Sequence, residues 1–239
     1  MSQFMDMIRL PNFGLGVAKG QFADISHVHK IGAVPAMSQN NTGTVWDVND
    51  TTYPWSSWAT AGTLSIPAVN ASDNGKQVTI QGLDANYGLQ NETVTVSSSG
   101  ATATTNSFIR VYNVYTDGTA VGNINVQKSA VTVARIVAGS TQTEMAIYTI
   151  PAGYTGYLLK GTTSCQDGAD ATGNMYVREF GDIFRVGHSF EVAGKGGQYT
   201  YDFGVAIKIP EKSDIDVRAK VRSNNARVTA AFDLILDYD

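Results

Sequence analysis

The chain has 239 residues, 43% hydrophobic and only 16% charged, with a formal net charge of -4. That balance argues against a general affinity for nucleic acid. The single cysteine, Cys165, excludes an intramolecular disulfide and a cysteine-built metal cage, and no run nears the ~20 apolar residues of a membrane helix.

Residues 1–38 show no sustained period. Phe4, Met7, Ile8, Leu10 and Phe13 are mixed with Pro11, Gly14, Gly16, Gly20 and Pro35. A short helical turn before Pro11 fits, but no full amphipathic helix. So much apolar surface without a foldable pattern predicts an extended arm that docks on a partner through Phe4, Met7, Ile8 and Phe13. The first residues lack a basic stretch followed by an unbroken apolar run, which predicts synthesis in a cytosol without a signal peptide.

From residue 39 to 127 strands and turns alternate. Thr63–Ile66 and Gln77–Ile80 bracket Asn74-Gly75, a hairpin signal. Glu92–Val96 and Asn106–Val114 flank Ser97–Gly100 as a second predicted hairpin. A further β-rich half covers residues 128–239. Thr143–Leu159 reads strand, turn, strand, with Pro151 and Gly153 suiting a type I turn over Ile150–Gly153. Met145, Ile147 and Thr149 would face one way, and Ala146, Tyr148 and Ile150 the other. Both faces are apolar, so the segment is central in a packed β architecture or pressed on another subunit, with Tyr154 and Tyr157 as candidate contact residues. Near the end, Ile215, Val217, Ala219 and Val221 alternate with Asp216, Arg218, Lys220 and Arg222, and Val228 to Leu236 return on one face. This predicts a hairpin with a charged outer side. The expected fold is all-β: an antiparallel β-sandwich, or two packed β subdomains, with the N-terminal arm.

Site chemistry is sparse. His27 and His29 have the spacing of a metal pair if extended, but Asp24 is the one close candidate for a third ligand. His188 lies mid-strand, and no nucleophile-elbow motif accompanies it. Asp167, Asp170 and Asn174 do not follow the calcium-loop spacing. Gly194-Lys-Gly-Gly197 lacks the residues of a phosphate-binding loop. Tyr53, Trp55 and Trp58 form an aromatic cluster that would stack on sugar rings if exposed, or else close one end of a sandwich core or meet a neighbouring subunit. No cofactor, metal site or catalytic set is expected.

Val28-His-Lys30 with Gly32, Gln81–Tyr87, Phe108-Ile-Arg-Val111, Gln142–Gly153, Arg178-Glu-Phe-Gly181 and Glu211–Ala219 together resemble a family of virion structural proteins of tailed bacteriophages, notably those of marine bacteria and cyanobacteria. The resemblance runs from the arm to the last strand. It implies a non-enzymatic particle component, made in the host cytoplasm and resident in the virion. Its partners would be copies of itself and other capsid, collar or tail subunits, with no specific nucleic acid and no membrane. Capsid decoration is the leading expectation. A collar or tail part connecting fibres, or a glycan-recognising module acting through Trp55 and Trp58, are the alternatives.

Overall fold

The computed structural model describes residues 13–166, 168–193, 197–222 and 225–238. The chain is all-β, as expected: small antiparallel sheets arranged as a propeller-like ring. The helix α1 (Phe13–Ala18) is short, and the ring of its Phe13 lies 5.4 Å from that of Phe22.

Two sheets enclose a first core. One has the order β1-β16-β11-β14, with β1 (Ile25–Met37), β11 (Tyr154–Cys165), β14 (Gln198–Ile209) and β16 (Ala226–Tyr238). The other has the order β10-β15-β12-β13, with β10 (Ile147–Thr149), β12 (Ala171–Arg178), β13 (Arg185–Val192) and β15 (Asp214–Val221); β2 (Thr42–Thr44) also pairs with β15. Leu158, Phe232 and Leu234 of the first sheet meet Ile215, Val217 and Phe190 of the second in one buried cluster. A second core lies between β6-β3-β8-β9 and β5-β4-β7. These strands are β3 (Ser65–Ile66), β4 (Gln77–Leu83), β5 (Leu89–Thr95), β6 (Thr102–Ala103), β7 (Arg110–Thr116), β8 (Ile124–Lys128) and β9 (Val131–Ile136). Trp46, Ile80, Phe108, Ile124 and Ile136 are buried there.

The segment Met145–Ile150 explains its own two-sided apolar pattern. Met145 and Ile147 belong to the second core, whereas Ala146, Tyr148 and Ile150 belong to the first. The strand is a wall shared by two cores, so alternation sends each parity into a different apolar interior. Val45 and Trp46 divide the same way. Gly32 of β1 approaches this wall so closely that a Cβ there would lie 2.3 Å from both the Ala146 nitrogen and the Val45 oxygen.

Several expected pairings are corrected. β10 pairs with β15, whereas the following β11 pairs with β14 and β16, so this chain reversal moves between sheets and is no hairpin. Its turn sits one residue later than expected: Tyr154 N–H donates to the Pro151 carbonyl, and Gly153 occupies the third position with φ of 77°. That is the position of a type II turn that demands a positive φ. β15 and β16 likewise lie in different sheets, facing each other across the first core. Burying one apolar face per strand satisfies the alternation equally well without pairing the two. Glu92–Val96 and Arg110–Val114 do not pair either, because both flank β4; and Ser65–Ile66 pairs with β6 and β8 instead of β4.

The expected division of the chain also shifts. Of residues 1–38, the first twelve lie outside the described residues, as do Phe4, Met7 and Ile8 with them. Ile25–Met37 is no arm: it pairs with β16 from Ile25↔Asp237 to Met37↔Ala226. The boundary expected at 127/128 falls inside the β8–β9 hairpin, where Lys128 pairs with Val131.

Candidate functional site

The densest polar cluster is organised by two aspartates of β15. Asp214 and Asp216 share one strand face, opposite the core face of Ile215 and Val217, and both are buried despite the expected charged exterior. Asp214 accepts from Arg110 Nε at 2.8 Å and Nη2 at 3.0 Å, from Arg178 Nε at 3.0 Å and Nη2 at 2.5 Å, and from Thr149 Oγ1 at 2.7 Å. The Arg110 contact is a two-pronged fork, the arrangement that best matches a guanidinium to a carboxylate. Asp216 accepts from Thr44 Oγ1 at 2.8 Å, Trp55 Nε1 at 2.8 Å and Arg218 Nε at 2.7 Å. Arg110 Nη1 also donates to the Trp58 and Ile109 carbonyls. The cluster thus ties β15 of one core to β7 and the Trp55–Trp58 turn of the other.

Aromatic rings cover the guanidinium groups. Arg110 lies 5.6 Å from the Trp55 ring and 5.4 Å from that of Tyr87; Arg178 lies 4.5 Å from Phe184 and Arg218 4.6 Å from Tyr176. Such contacts stabilise cations most where water is excluded. Tyr53, Trp55 and Trp58, the candidate sugar-stacking residues, are all buried here. Trp58 Nε1 donates to the Tyr53 hydroxyl at 2.9 Å, and Tyr53 packs edge-on against Trp55 at 4.8 Å. Burial pushes the Tyr53 phenol well above its ordinary range, which keeps it neutral. All three belong to the second core, and Trp55 and Trp58 also border a cleft beside Arg110.

A cleft of about 400 Å³ overlies the cluster, lined by Tyr87, Arg110, Arg178, Phe180, Lys212 and Asp214 among others. Both oxygens of Asp214 are saturated by five donor contacts, so it has no lone pair to spare as a general base. Arg178 and Lys212 are the partly open cations at its rim.

A second buried charge site lies on β1. Lys30 Nζ donates to the Tyr112 carbonyl and sits 5.8 Å from the Tyr112 ring. Burial depresses its ammonium to about 7, against a smaller opposing pull from Asp47. Asp47 accepts from Glu144 N–H through Oδ2 at 2.9 Å, while its buried Oδ1 has no hydrogen-bond partner. Burial raises its carboxyl to about 7 despite the backbone N–H groups that favour the anion.

His27 and His29 do share a face, as an extended strand requires. Both contact Asp233 Oδ1, at 3.0 Å and 2.7 Å, and Asp24 is not the third member. Among the described residues no group of three or more His, Cys, Asp or Glu is placed to hold a metal ion. His188 Nε2 meets the Tyr199 hydroxyl at 3.1 Å. Asp167 and Gly194 to Gly196 lie outside the described residues. Of the expected contact residues, Tyr154 is half-buried with its ring 5.1 Å from that of Tyr238, and Tyr157 is half-buried within β11.

Sequence reasoning placed Asp216 on a solvated face and left Arg110 and Arg178 unassigned. The available signal was an arginine inside the apolar run Phe108-Ile-Arg-Val111, and a strand whose charged positions begin with two aspartates.

No protein-family model and no curated protein matches the chain. Among solved structures it is similar to that of the infectious bursal disease virus Gt strain, at 10% identity over 89% of this chain and 72% of that one, with a TM-score of 0.22. It is also similar to the infectious bursal disease virus VP2 subviral particle, at 7% identity over 90% and 72%, with a TM-score of 0.24. Scores this low do not establish a shared fold, and no role for this chain follows from them.

Proposed function

We propose that this chain is a structural subunit of a tailed-bacteriophage virion, self-associating and binding other particle subunits as a capsid decoration protein. The motifs from Val28 to Ala219 that resemble that family support the reading. The observation that carries it is the distribution of polarity. Asp214, Asp216, Arg110, Arg178 and Arg218 are committed to one another where the two cores join, whereas Phe180, Ile183, Val186, Tyr201 and Val205 are left exposed. A charge network spent internally and apolar surface offered externally suit a part that is held by neighbours. In this reading the sheets around the first core act as a β-sandwich, and residues 1–12 with Phe13 act as the anchor to the particle. Tyr154 and Tyr157 are further candidate contacts.

Counting copies of the chain in purified particles by quantitative mass spectrometry tests the proposal. Hundreds per particle are expected for capsid decoration. A dozen or fewer would move the chain to the collar or tail, and none would overturn the virion reading. The anchor is tested by removing residues 1–12 and no more, because a longer deletion enters α1 and then β1; incorporation should be lost while the fold is kept.

A further inference from the structure

β14 is the outer strand of its sheet, bonded to β11 on one side. Its exposed apolar content is unusual for an edge. Val205 is 87% exposed, Tyr201 is 40% exposed, and neither Pro nor a charge interrupts Phe203–Ile207. Soluble proteins ordinarily blunt such edges with charge, proline or a cover. The ladder to β11 also skips here, from Leu158↔Ile207 to Lys160↔Asp202, which leaves Phe203 to Ala206 without a cross-strand partner. β13, the free edge of the facing sheet, adds to the patch. The His188 ring lies 4.5 Å from Tyr201 and 5.2 Å from Phe203, and Val186 beyond it is 53% exposed.

We infer that two copies of this chain associate by pairing their β14 strands antiparallel about a two-fold axis at Val205. The inference deepens the self-association proposed above and rests on it. The charges on the strand select both the occupant and the register. With Val205 opposite its own copy, Asp202 of each chain faces Lys208 of the other, Phe203 faces Ile207 and Gly204 faces Ala206. The two-fold places that ion pair at both ends of the apolar stretch, a self-complementary pattern of the isologous kind. A slip of one residue would set Asp202 against Ile209 and Phe203 against Lys208, opposing charge to apolar surface at both ends. Asp202 and Lys208 are both exposed and free for this role: among the described residues neither has an ion-pair partner.

Sedimentation velocity over a micromolar-to-millimolar series of the full chain tests the pairing. The wild type should shift from monomer to dimer. V205K, which sets two ammonium groups against each other at the axis, should stay monomeric, with an unchanged circular dichroism spectrum because the side chain touches no core. D202K should also lose the dimer, and D202K/K208D should recover it. A wild type that stays monomeric throughout, or a dimer indifferent to V205K, overturns the interface; a double variant that does not recover overturns the register. The two readings fail separately. A chain found in particles but monomeric in solution sinks this interface alone, whereas a Val205-dependent dimer absent from particles sinks the virion reading alone.

Discussion

Two of the places where this molecule buries ionisable groups resolve the cost in opposite ways. At Asp214 and Asp216 every carboxylate oxygen meets donors, and three arginines lie within bonding distance. At Lys30 and Asp47 the same degree of burial comes with few partners. Lys30 has one carbonyl, and one Asp47 oxygen has nothing. At the first site hydrogen-bond donors and guanidinium groups offset the burial of the carboxylates. The second relaxes towards neutrality, each group shifting to about 7 from its own side. Burial alone therefore does not set what a buried ionisable group costs in a β interior; the supply of hydrogen-bond partners does.

The sharpest way to break this comparison is Asp214→Asn. The amide keeps the shape but leaves Arg110 and Arg178 without their countercharge, so urea unfolding should show a loss of about 3–5 kcal/mol. A loss comparable to that of a surface substitution would mean the network is not what joins the cores.

Lys30→Met probes the other site. Because burial lowers Lys30 in the folded chain, the unfolded chain holds the proton more tightly between about 7 and the ordinary 10.5. Wild-type stability from this group is therefore fully present above 10.5 and is lost as pH falls through about 7, with a slope of up to about 1.4 kcal/mol per pH unit. The variant should lack that slope between pH 7 and 9 and be at least as stable as wild type at pH 7. Asp47→Asn should remove the mirror-image slope. A raised carboxyl contributes stability that is complete below its ordinary 3.8 and is lost as pH rises through about 7. Urea midpoints at a series of pH values for the three proteins would show both.

Trp55→Phe refines the picture of the paired site. It retains a ring near the guanidinium groups but withdraws the indole donor from Asp216, which keeps Thr44 and Arg218. The expected cost is about 1.5–3 kcal/mol, the range for a hydrogen bond to a charged group. At the bottom of the scale, Arg222→Ala removes an exposed pair with Glu191 at 3.1 Å and should change stability by no more than about 0.5–1 kcal/mol.

How much of this was legible in the sequence depends on which physical rule was at stake. Alternation is local, and it correctly gave the facing of Met145 to Ile150 and the buried faces of β15 and β16. Pairing is not local. An apolar face is satisfied by any opposing sheet, so Ile215–Val221 and Val228–Leu236 read as a hairpin although they meet across a core. The same limit hid the site. A buried aspartate is written identically to a solvated one, and its arginine partners lie 104 and 36 residues away. The tryptophans were readable as a cluster, but their orientation towards Arg110 was not. In the N-terminal stretch, Pro35 and Gly32 disguised a thirteen-residue strand as an arm; the glycine is there because another backbone passes against it.

The place of β16 bears on how this chain comes to be folded. It sits between β1 and β11, bonded to both, yet it is made roughly two hundred residues after the first and sixty after the second. On the ribosome β1 and β11 must wait with a vacant slot between them, exposing ladder groups and the apolar faces that Phe232 and Leu234 later cover. The buried residues of the second core all lie between 46 and 147 and are made long before, with Phe184 added later at its edge. Synthesis should therefore yield an early-folding half and a late one, the late half governed by contacts of very high sequence separation and correspondingly slow. A nascent chain halted before residue 226 would present an unfilled sheet, and chaperone demand should peak at that stage and fall once the last strand inserts.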